Sequence, residues 1–537
     1  MPRSTPSPPT ATASRSSTRG PAGRPRRSGL PSRPIRSPSR SRSPPAAAGL
    51  RIAETLFRFA PAAGIDSREH VREVDVTKDR TTDGIKRRTL LKGAAAAAAA
   101  PVLASCIGQQ AGGPGGGASA SPSGATGATG VGTRPKLSGS LNILQWSHFV
   151  PDFDTYLDGW AKKWGDTNGV TVKIDRIPQA DLPARFAAEA GSKSGHDLVA
   201  HFANGLPALF KDSLVDVTDI ANRAADKYGG WIPAGEAIGK VQGKWYGFPD
   251  FLVPFLSSWR TDVWKSPAVG YTKDHLETWQ DLLDFAPKLK AAGNPVGCAV
   301  SQTSDSEHTW RSLMWSHGAA EFSADGKTVA IDSPETRTVL NMAKTLYASM
   351  ENSVLSWADV DNNTYLQSGK GSWIYNPISA YRTIEAQNKD LAAKINVDNP
   401  LKGTKAQIAS IQFTVYGIWN FSKNIDAARW FLIDYSDDWP AQMTASKGYN
   451  NPFLKGHQQK PMPVLGTDTK LTHLQDIANY VQPVGYPGPS SQAAYDALNN
   501  HHITDMFANF ITGKKSIDDT IADAKKRLQD SLTKFPV

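Results

Sequence analysis

"LNILQWSHFVPDFDTYLDGWAKKWGDTNGVTVKI" (residues 141–174) decides how this chain must fold. Its first six residues are a short apolar run with the length of a buried strand. Phe153, Leu157, Trp160 and Trp164 then recur at i, i+4, i+7 and i+11, which is one face of a helix. Asn168 and Gly169 stop that helix, and Val170, Val172 and Ile174 alternate as a strand. A second helix is expected over about 180–190 and a further strand in "HDLVAH" (196–201). Strand and helix alternating in this way predict an α/β fold, a parallel sheet with helices on both faces. Ligands of such sheets bind outside the C-terminal strand ends. Here those ends are "WSHF" (146–149) and "HFANG" (201–205).

Two later helices are marked by their starts. Pro334 follows Asp332-Ser333 and leads into Val339, Met342, Ala343 and Leu346. Ser516 and Asp519 have capping-box spacing ahead of Ile517, Ile521, Ala524, Leu528 and Leu532.

Upstream of the fold, "KRRTLLKGAAAAAAAPVLASC" (86–106) has the order of a bacterial export signal. Twin arginines and Lys92 precede a weakly apolar alanine run, too short to span a bilayer, which needs about 20 apolar residues. Leu103-Ala104-Ser105-Cys106 is similar to a lipobox, which makes Cys106 the expected lipidated N-terminus of the mature protein. Residues 1–50 hold ten Arg, no acid and many Pro and Ser. They cannot bury a core, and residues 1–85 are read as a disordered basic extension or as an over-long start, the second being favoured. Residues 106–137 form a Gly/Ala/Ser-rich tether. The folded part, 138–537, is long enough for two cores.

Charge supports this division. Residues 1–105 carry 20 Lys+Arg against 7 Asp+Glu, while 106–537 carry 40 against 43. The basic excess belongs to the leader, so the folded part is not expected to bind nucleic acid. The two cysteines, Cys106 and Cys298, leave no intrachain disulfide once Cys106 is lipidated.

Motifs for catalysis are missing from the sequence. It contains no G-x-x-x-x-G-K-S/T, no H-E-x-x-H, no C-x-x-C and no G-x-S-x-G. His501 and His502 lack the spacing that would aim both at one metal. Ser531 and Lys534 match S-x-x-K only at the chain end. Neither a metal, a cofactor nor a catalytic residue is therefore expected. What stands out among the 15 Trp and 14 Tyr is their place in loops beside Asn, Asp, Gly or Pro. An aromatic face can cover the apolar face of a sugar while nearby amides and carboxylates bind its hydroxyls.

"GKWYGFPDFLVPFLSSWRTDVW" (243–264) resembles the bacterial extracellular solute-binding proteins of sugar-type ABC importers, family 1. Gly243, Lys244, Tyr246, Gly247 and Pro249 fit the family's Gly-Lys-x-Tyr-Gly-x-Pro pattern. Trp259-Arg260-Thr261 stand where Tyr-Asn-Lys is usual, and Asp262 remains. Further resemblances follow in family order: "ETWQDLLDFAPKL" (277–289), "EFSADGKTVAIDSPETRTVL" (321–340), "YLQSGKGSWIYNP" (365–377), "NFSKNIDAARWFLIDYS" (420–436) and "FITGKKSIDDTIADAKKRL" (510–528). Together they span about 140–532.

The resemblance implies a two-lobed periplasmic-binding-protein fold, type II-like, with an interlobe ligand cleft. Lobe 1 would take about 138–249 and 417–455, and lobe 2 about 255–410 and 456–537. Crossover strands are implied near Asp250–Pro254 and Ser410–Tyr416. Carried over by position, the ligand-binding candidates are Trp146, His148, His201, Asn204, Asp250, Phe251, Glu307, Trp310, Asn376, Tyr381, Tyr449, Asn450 and Tyr486. The implied role is a monomeric lipoprotein outside the cytoplasm that captures a sugar or oligosaccharide for an ABC importer permease. Two other readings stay open. One keeps the binding role for a polyamine, peptide or phosphorylated polyol, with Arg260 or Arg382 meeting phosphate. The other is a secreted glycan-active enzyme, for which Asp250 and Glu307 are the only nominated carboxylates.

Overall fold

The computed structural model describes residues 131–202 and 205–537. The signal segment, Cys106, most of the tether and Asn204 lie outside them. The chain enters with β1 (Ser140–Trp146), α1 (Pro151–Asn168), β2 (Thr171–Ile177), α2 (Leu182–Ser192) and β3 (Leu198–Phe202). Gly169 ends α1 in the left-handed conformation, φ 70°, which explains the Asn-Gly stop in the sequence. Next come α3 (Leu206–Phe210), α4 (Thr218–Tyr228), α5 (Pro233–Gly239) and a small hairpin of β4 (Lys240–Val241) and β5 (Lys244–Trp245).

The chain then crosses through β6 (Phe248–Pro254) into a second layer system. This comprises β7 (Leu256–Arg260), α6 (Thr261–Trp264), α7 (Trp279–Ala291), α8 (Ser304–His317), α9 (Pro334–Tyr347), α10 (Asp361–Gln367), β8 (Trp373–Asn376), α11 (Ser379–Gln387), α12 (Lys389–Ala392) and β9 (Ile395–Asp398). It returns through β10 (Ala409–Ile418) to α13 (Ile425–Asp437), α14 (Trp439–Ala445) and β11 (Asn451–Pro452). The last part holds β12 (Val481–Gln482), α15 (Gln492–Asn499), α16 (His502–Ile511) and α17 (Ile517–Lys534).

Two main sheets result. The larger has strand order β11-β6-β10-β3-β1-β2, with β12 joined to β10, and the smaller is β8-β7-β9. The parallel pairing expected from the sequence holds for β2-β1-β3, where Ser140 opposes Thr171 and Ile143 opposes Leu198. β10 is antiparallel to both neighbours, opposing His201 with Val415 and Pro254 with Ile411, because it arrives from the other lobe. The two crossover strands β6 and β10 therefore lie side by side, and each lobe's core packs about its own sheet.

Both helix starts foreseen in the sequence are capped: Ser333 accepts from Thr336 N and Ser516 from Asp519 N. Cys298 is buried and free, and burial pushes its thiol well above the ordinary range, as for a small apolar side chain. Among the described residues no helix is long and apolar enough to cross a membrane.

Candidate functional site

The C-terminal end of β1 builds one wall. Leu141, Ile143 and Leu144 anchor the strand in the core, which fixes where Trp146 and His148 emerge. Trp146 stacks on Phe202 at the end of β3, with centroids 4.3 Å apart, and on His148 at 4.8 Å. Phe251 of β6 lies 6.0 Å from the His148 ring and Tyr449 meets it edge-on at 5.1 Å. Five of the sequence candidates, Trp146, His148, Phe251, Tyr449 and Asn450, thus form one cluster.

His148 orients that cluster. Burial pushes its pKa down to about 4, so the ring is neutral at neutral pH. Its Nδ1 accepts from Val150 N at 2.9 Å, which leaves the proton on Nε2 to donate to Asn450 Oδ1 at 3.0 Å. The Asn450 amide is held by its oxygen, while its Nδ2 is buried without a partner.

A second, polar cluster lies at the start of α8. Thr303 caps this helix by accepting from Ser306 N. Asp305 is buried in the first turn and takes Asn362 Nδ2 on its Oδ2 at 2.6 Å. The crossover residue Gln412 donates from Nε2 to Ser304 Oγ at 2.8 Å and to Asp305 Oδ1 at 3.5 Å. Asp359 accepts the Asp305 backbone N–H at 3.1 Å. Burial, and then the Asp359 charge, push Asp305 well above the carboxylate range. Burial also raises Asp359, against the helix N–H groups that favour its ionised form. These two carboxylates are the charges that act on the buried Tyr449 hydroxyl, which has no hydrogen-bond partner.

A pocket of about 400 Å³ opens between the lobes here. Gln179 and Pro183 line it from lobe 1, and Gln302, Ser304, Asp359 and His501 from lobe 2. A larger groove of about 570 Å³ runs from Ala208–Ser213 to Pro489–Gln492 and the chain end, and it contains none of the candidates. Of the sequence candidates, Glu307 alone lines the smaller pocket. Among the described residues no group of three or more His, Cys, Asp or Glu is placed to hold a metal.

A family model described as bacterial extracellular solute-binding protein matches residues 150–439, more than half of the chain. The chain belongs to this family. Among solved structures, maltose-bound MalE3 of T. maritima is similar at 18% identity and a TM-score of 0.62, over 73% of this chain and 99% of that one. The GacH receptor of Streptomyces glaucescens has 18% identity and a TM-score of 0.61, over 74% and 99%. A sugar transporter of Arthrobacter chlorophenolicus with bound laminaribiose has 15% and 0.62, over 73% and 99%. At these identities the likeness shows the shared fold. No curated protein matches the chain.

The other candidates of this solute-binding protein lie apart from the aromatic cluster. His201 is buried against Phe186 at 4.8 Å and accepts from Leu206 N, facing α2 rather than the pocket. Asp250 is the extra residue of a β-bulge, since Phe251 opposes Thr414 and Pro249 opposes Val415. Its Oδ2 is shielded and unpaired, and the unpaired Tyr416 and Tyr435 hydroxyls feel its charge. Trp310 is buried in lobe 2, stacked on Phe507 at 4.8 Å. Tyr381 carries Arg382 and Lys470 against its ring, and Tyr486 packs 5.6 Å from Trp315. Asn376 donates to Asn363 Oδ1 at 2.6 Å and to Pro377 O at 3.1 Å.

Glu307 borders the pocket, but its carboxylate turns inward to Arg311, to Thr504 N at 3.2 Å and to His501. Burial alone would raise it, yet the Arg311 guanidinium and His501 hold it down to about 2. Arg260 and Arg382, the phosphate candidates, already face Asp262, Glu385 and Asp468.

Asp305, Asp359, Asn362 and Gln412 were not among the sequence candidates. For Asp359 and Asn362 the available signal was the Asp/Asn-rich run "WADVDNN" (357–363) ahead of the Gly-Lys turn, while nothing local in the sequence marked Asp305 or Gln412.

Proposed function

We propose that this solute-binding protein captures a carbohydrate in the interlobe cleft and delivers it to an ABC-type importer, held outside the cytoplasm by lipid on Cys106. The observation that carries the reading is a pocket of about 400 Å³ lined by Gln179 and Pro183 on one side and by Ser304 and Asp359 on the other. Behind it lie an aromatic cluster at strand ends of the larger sheet, Trp146, Phe202, Phe251 and Tyr449, and a hydrogen-bonded polar cluster at the start of α8, Asp305, Asn362 and Gln412, in which Asn362 Oδ1 is unpaired. Aromatic faces suit the C–H faces of a pyranose, and polar acceptors suit its hydroxyls. A ligand touching both walls favours the closed arrangement and so drives closure. Extracytoplasmic placement is supported by the family and by the twin-arginine and lipobox pattern.

The test is a thermal-shift panel of mono- and oligosaccharides on the folded part. A ligand at a hundred times its dissociation constant stabilises by about 2.7 kcal/mol. A rise in melting temperature with a glycan supports the reading, and a panel with no response removes it. For the anchor, mass spectrometry of membrane-fraction protein is expected to find no peptide from residues 1–105. Recovery of "SRSPPAAAGL" from that fraction overturns the anchor.

A further inference from the structure

Helix α15 buries an aromatic ring on a face that is otherwise open to solvent. Its core face is Ala493, Ala494, Ala497 and Leu498, all buried. Gln492, Tyr495 and Asn499 stand at i, i+3 and i+7, on a different side of the helix. Gln492 and Asn499 are exposed, yet Tyr495 between them is only 1% exposed. The cover does not come from the helix's own layer. α15 packs with α16 and α17, and α16 in turn lies against α8 and α9. Across from that layer, the Tyr495 ring rests on Gly205, in the segment that leaves β3 and enters α3.

The same helix borders both of the spaces described above. Its start, Ser491 and Gln492, lines the groove of about 570 Å³ together with Ala208–Ser213. Its end, Leu498 and Asn499, lines the pocket of about 400 Å³ together with Gln179, Ala180 and Pro183. From Gln492 to Asn499 the helix rises only about 10 Å. The two spaces are therefore neighbours along one helix, and the Tyr495–Gly205 contact stands between them. Phe413 of the crossover strand β10 meets the Tyr495 ring edge-on, with centroids 6.5 Å apart, and supports it in this place.

We propose that Tyr495 is the end wall of the ligand pocket and sets the length of glycan that the protein accepts. Ordinary ligand pockets span about 300–1,000 Å³. The smaller pocket alone lies near the bottom of that range, and the two spaces joined approach its top. A short glycan fits in front of the ring. A longer one laid along α15 runs into it, and a clash of this kind excludes one ligand without weakening another. Glycine at 205 lets the ring seat directly on the backbone, which completes the partition. The inference rests on the capture reading above and adds to it a residue that was not among the sequence candidates.

The experiment is calorimetric titration of the protein and its Tyr495→Ala variant with di-, tri-, tetra- and hexasaccharides of glucose in three linkages, α-1,4, β-1,4 and β-1,3. In the series that binds, the unaltered protein is expected to favour the disaccharide over the hexasaccharide by about tenfold or more. Tyr495→Ala should bring the two within about threefold, through a gain for the hexasaccharide. Tyr495→Leu keeps an apolar contact with Phe413 and should fall between them, which covers the case in which the alanine variant does not fold. Equal affinity of the unaltered protein for both lengths overturns the end wall and leaves capture standing, as does a length preference that neither variant changes. A crystal structure of the ligand-free variant reads the partition without any glycan. One continuous space from Gln492 to Asn499 is the expected result. A helix α15 settled onto Gly205, with the two spaces still separate, overturns the assignment of Tyr495. If no glycan binds any of the three proteins, the capture reading falls and length selection falls with it.

Discussion

His201 shows how far a side chain's type can mislead about its task. It stands at a strand end, where ligand sites form, yet it faces α2 and takes the Leu206 N–H. Burial pushes its pKa from 6.5 to about 3. A base with a lowered folded pKa takes up its proton only on unfolding. Its contribution is therefore complete above about pH 6.5 and is lost as the pH falls towards 3. His148 and His308, lowered to about 4 and about 3, add in the same direction. Without ligand, the melting temperature is expected to fall between about pH 7 and pH 5. His201→Asn keeps an acceptor for Leu206 N and removes one titration. A smaller fall in that variant is the expected result, and an identical fall refutes the assignment. Trp310 gives the complementary case. It is buried between α8 and α16, so Trp310→Ala should cost about 3–5 kcal/mol in denaturant unfolding while ligand affinity stays nearly constant. Tyr449→Phe removes only an unpaired hydroxyl, so stability without ligand should stay nearly unchanged in denaturant unfolding.

Helix α8 explains why part of the site was legible and part was not. Its segment was picked out from the sequence, but through Glu307 and Trp310. Residues two apart on a helix point about 200° away from each other. Asp305 thus meets Asn362 and Gln412 while Glu307 turns towards Arg311 and α16, and one chain carries no alignment with which to choose the phase. The strand ends were easier to read, because an apolar run such as Leu141–Trp146 fixes where the strand leaves the core. That marks the loop that holds Trp146 and His148, which the resemblance then offered as candidates. Tyr449 and Asn450 stood out as an aromatic beside Asn in a loop, but nothing local joins them to β1, since the His148–Asn450 bond spans some 300 residues of sequence. The inward face of α8 carries its own consequence. Arg311 is wholly buried between Glu307 and Glu321. Arg311→Met should cost about 3–5 kcal/mol, because it leaves two buried carboxylates without a counter-charge. Denaturant unfolding checks this. A loss below about 1 kcal/mol would mean that water reaches the acids and that the triad matters little.

At the scale of the molecule, function rests on how the two lobes meet. Beyond the paired crossover strands, the segment after β3 meets α15, the expected lobe 2 helix, at a glycine. Gly205 follows β3 with φ +77°, and the Tyr495 ring of α15 lies directly on it. A Cβ at this position would stand 2.3 Å from Tyr495 Cγ, well inside contact distance. The obstacle is the root of an aromatic ring buried in α15, so it cannot simply swing away. Gly205→Ala should therefore hold the lobes apart. In small-angle scattering with saturating ligand, the radius of gyration should stay near its ligand-free value, and affinity should fall. Alanine in a left-handed conformation also brings backbone strain of about 1 kcal/mol, which acts in any arrangement of the lobes. The double variant Gly205→Ala with Tyr495→Ala separates the two effects. If contact with the ring governs closure, the double variant regains ligand-induced compaction and keeps only the stability loss. If strain near β3 is the whole effect, the second substitution recovers nothing, and the Gly205–Tyr495 contact has no part in closing the cleft.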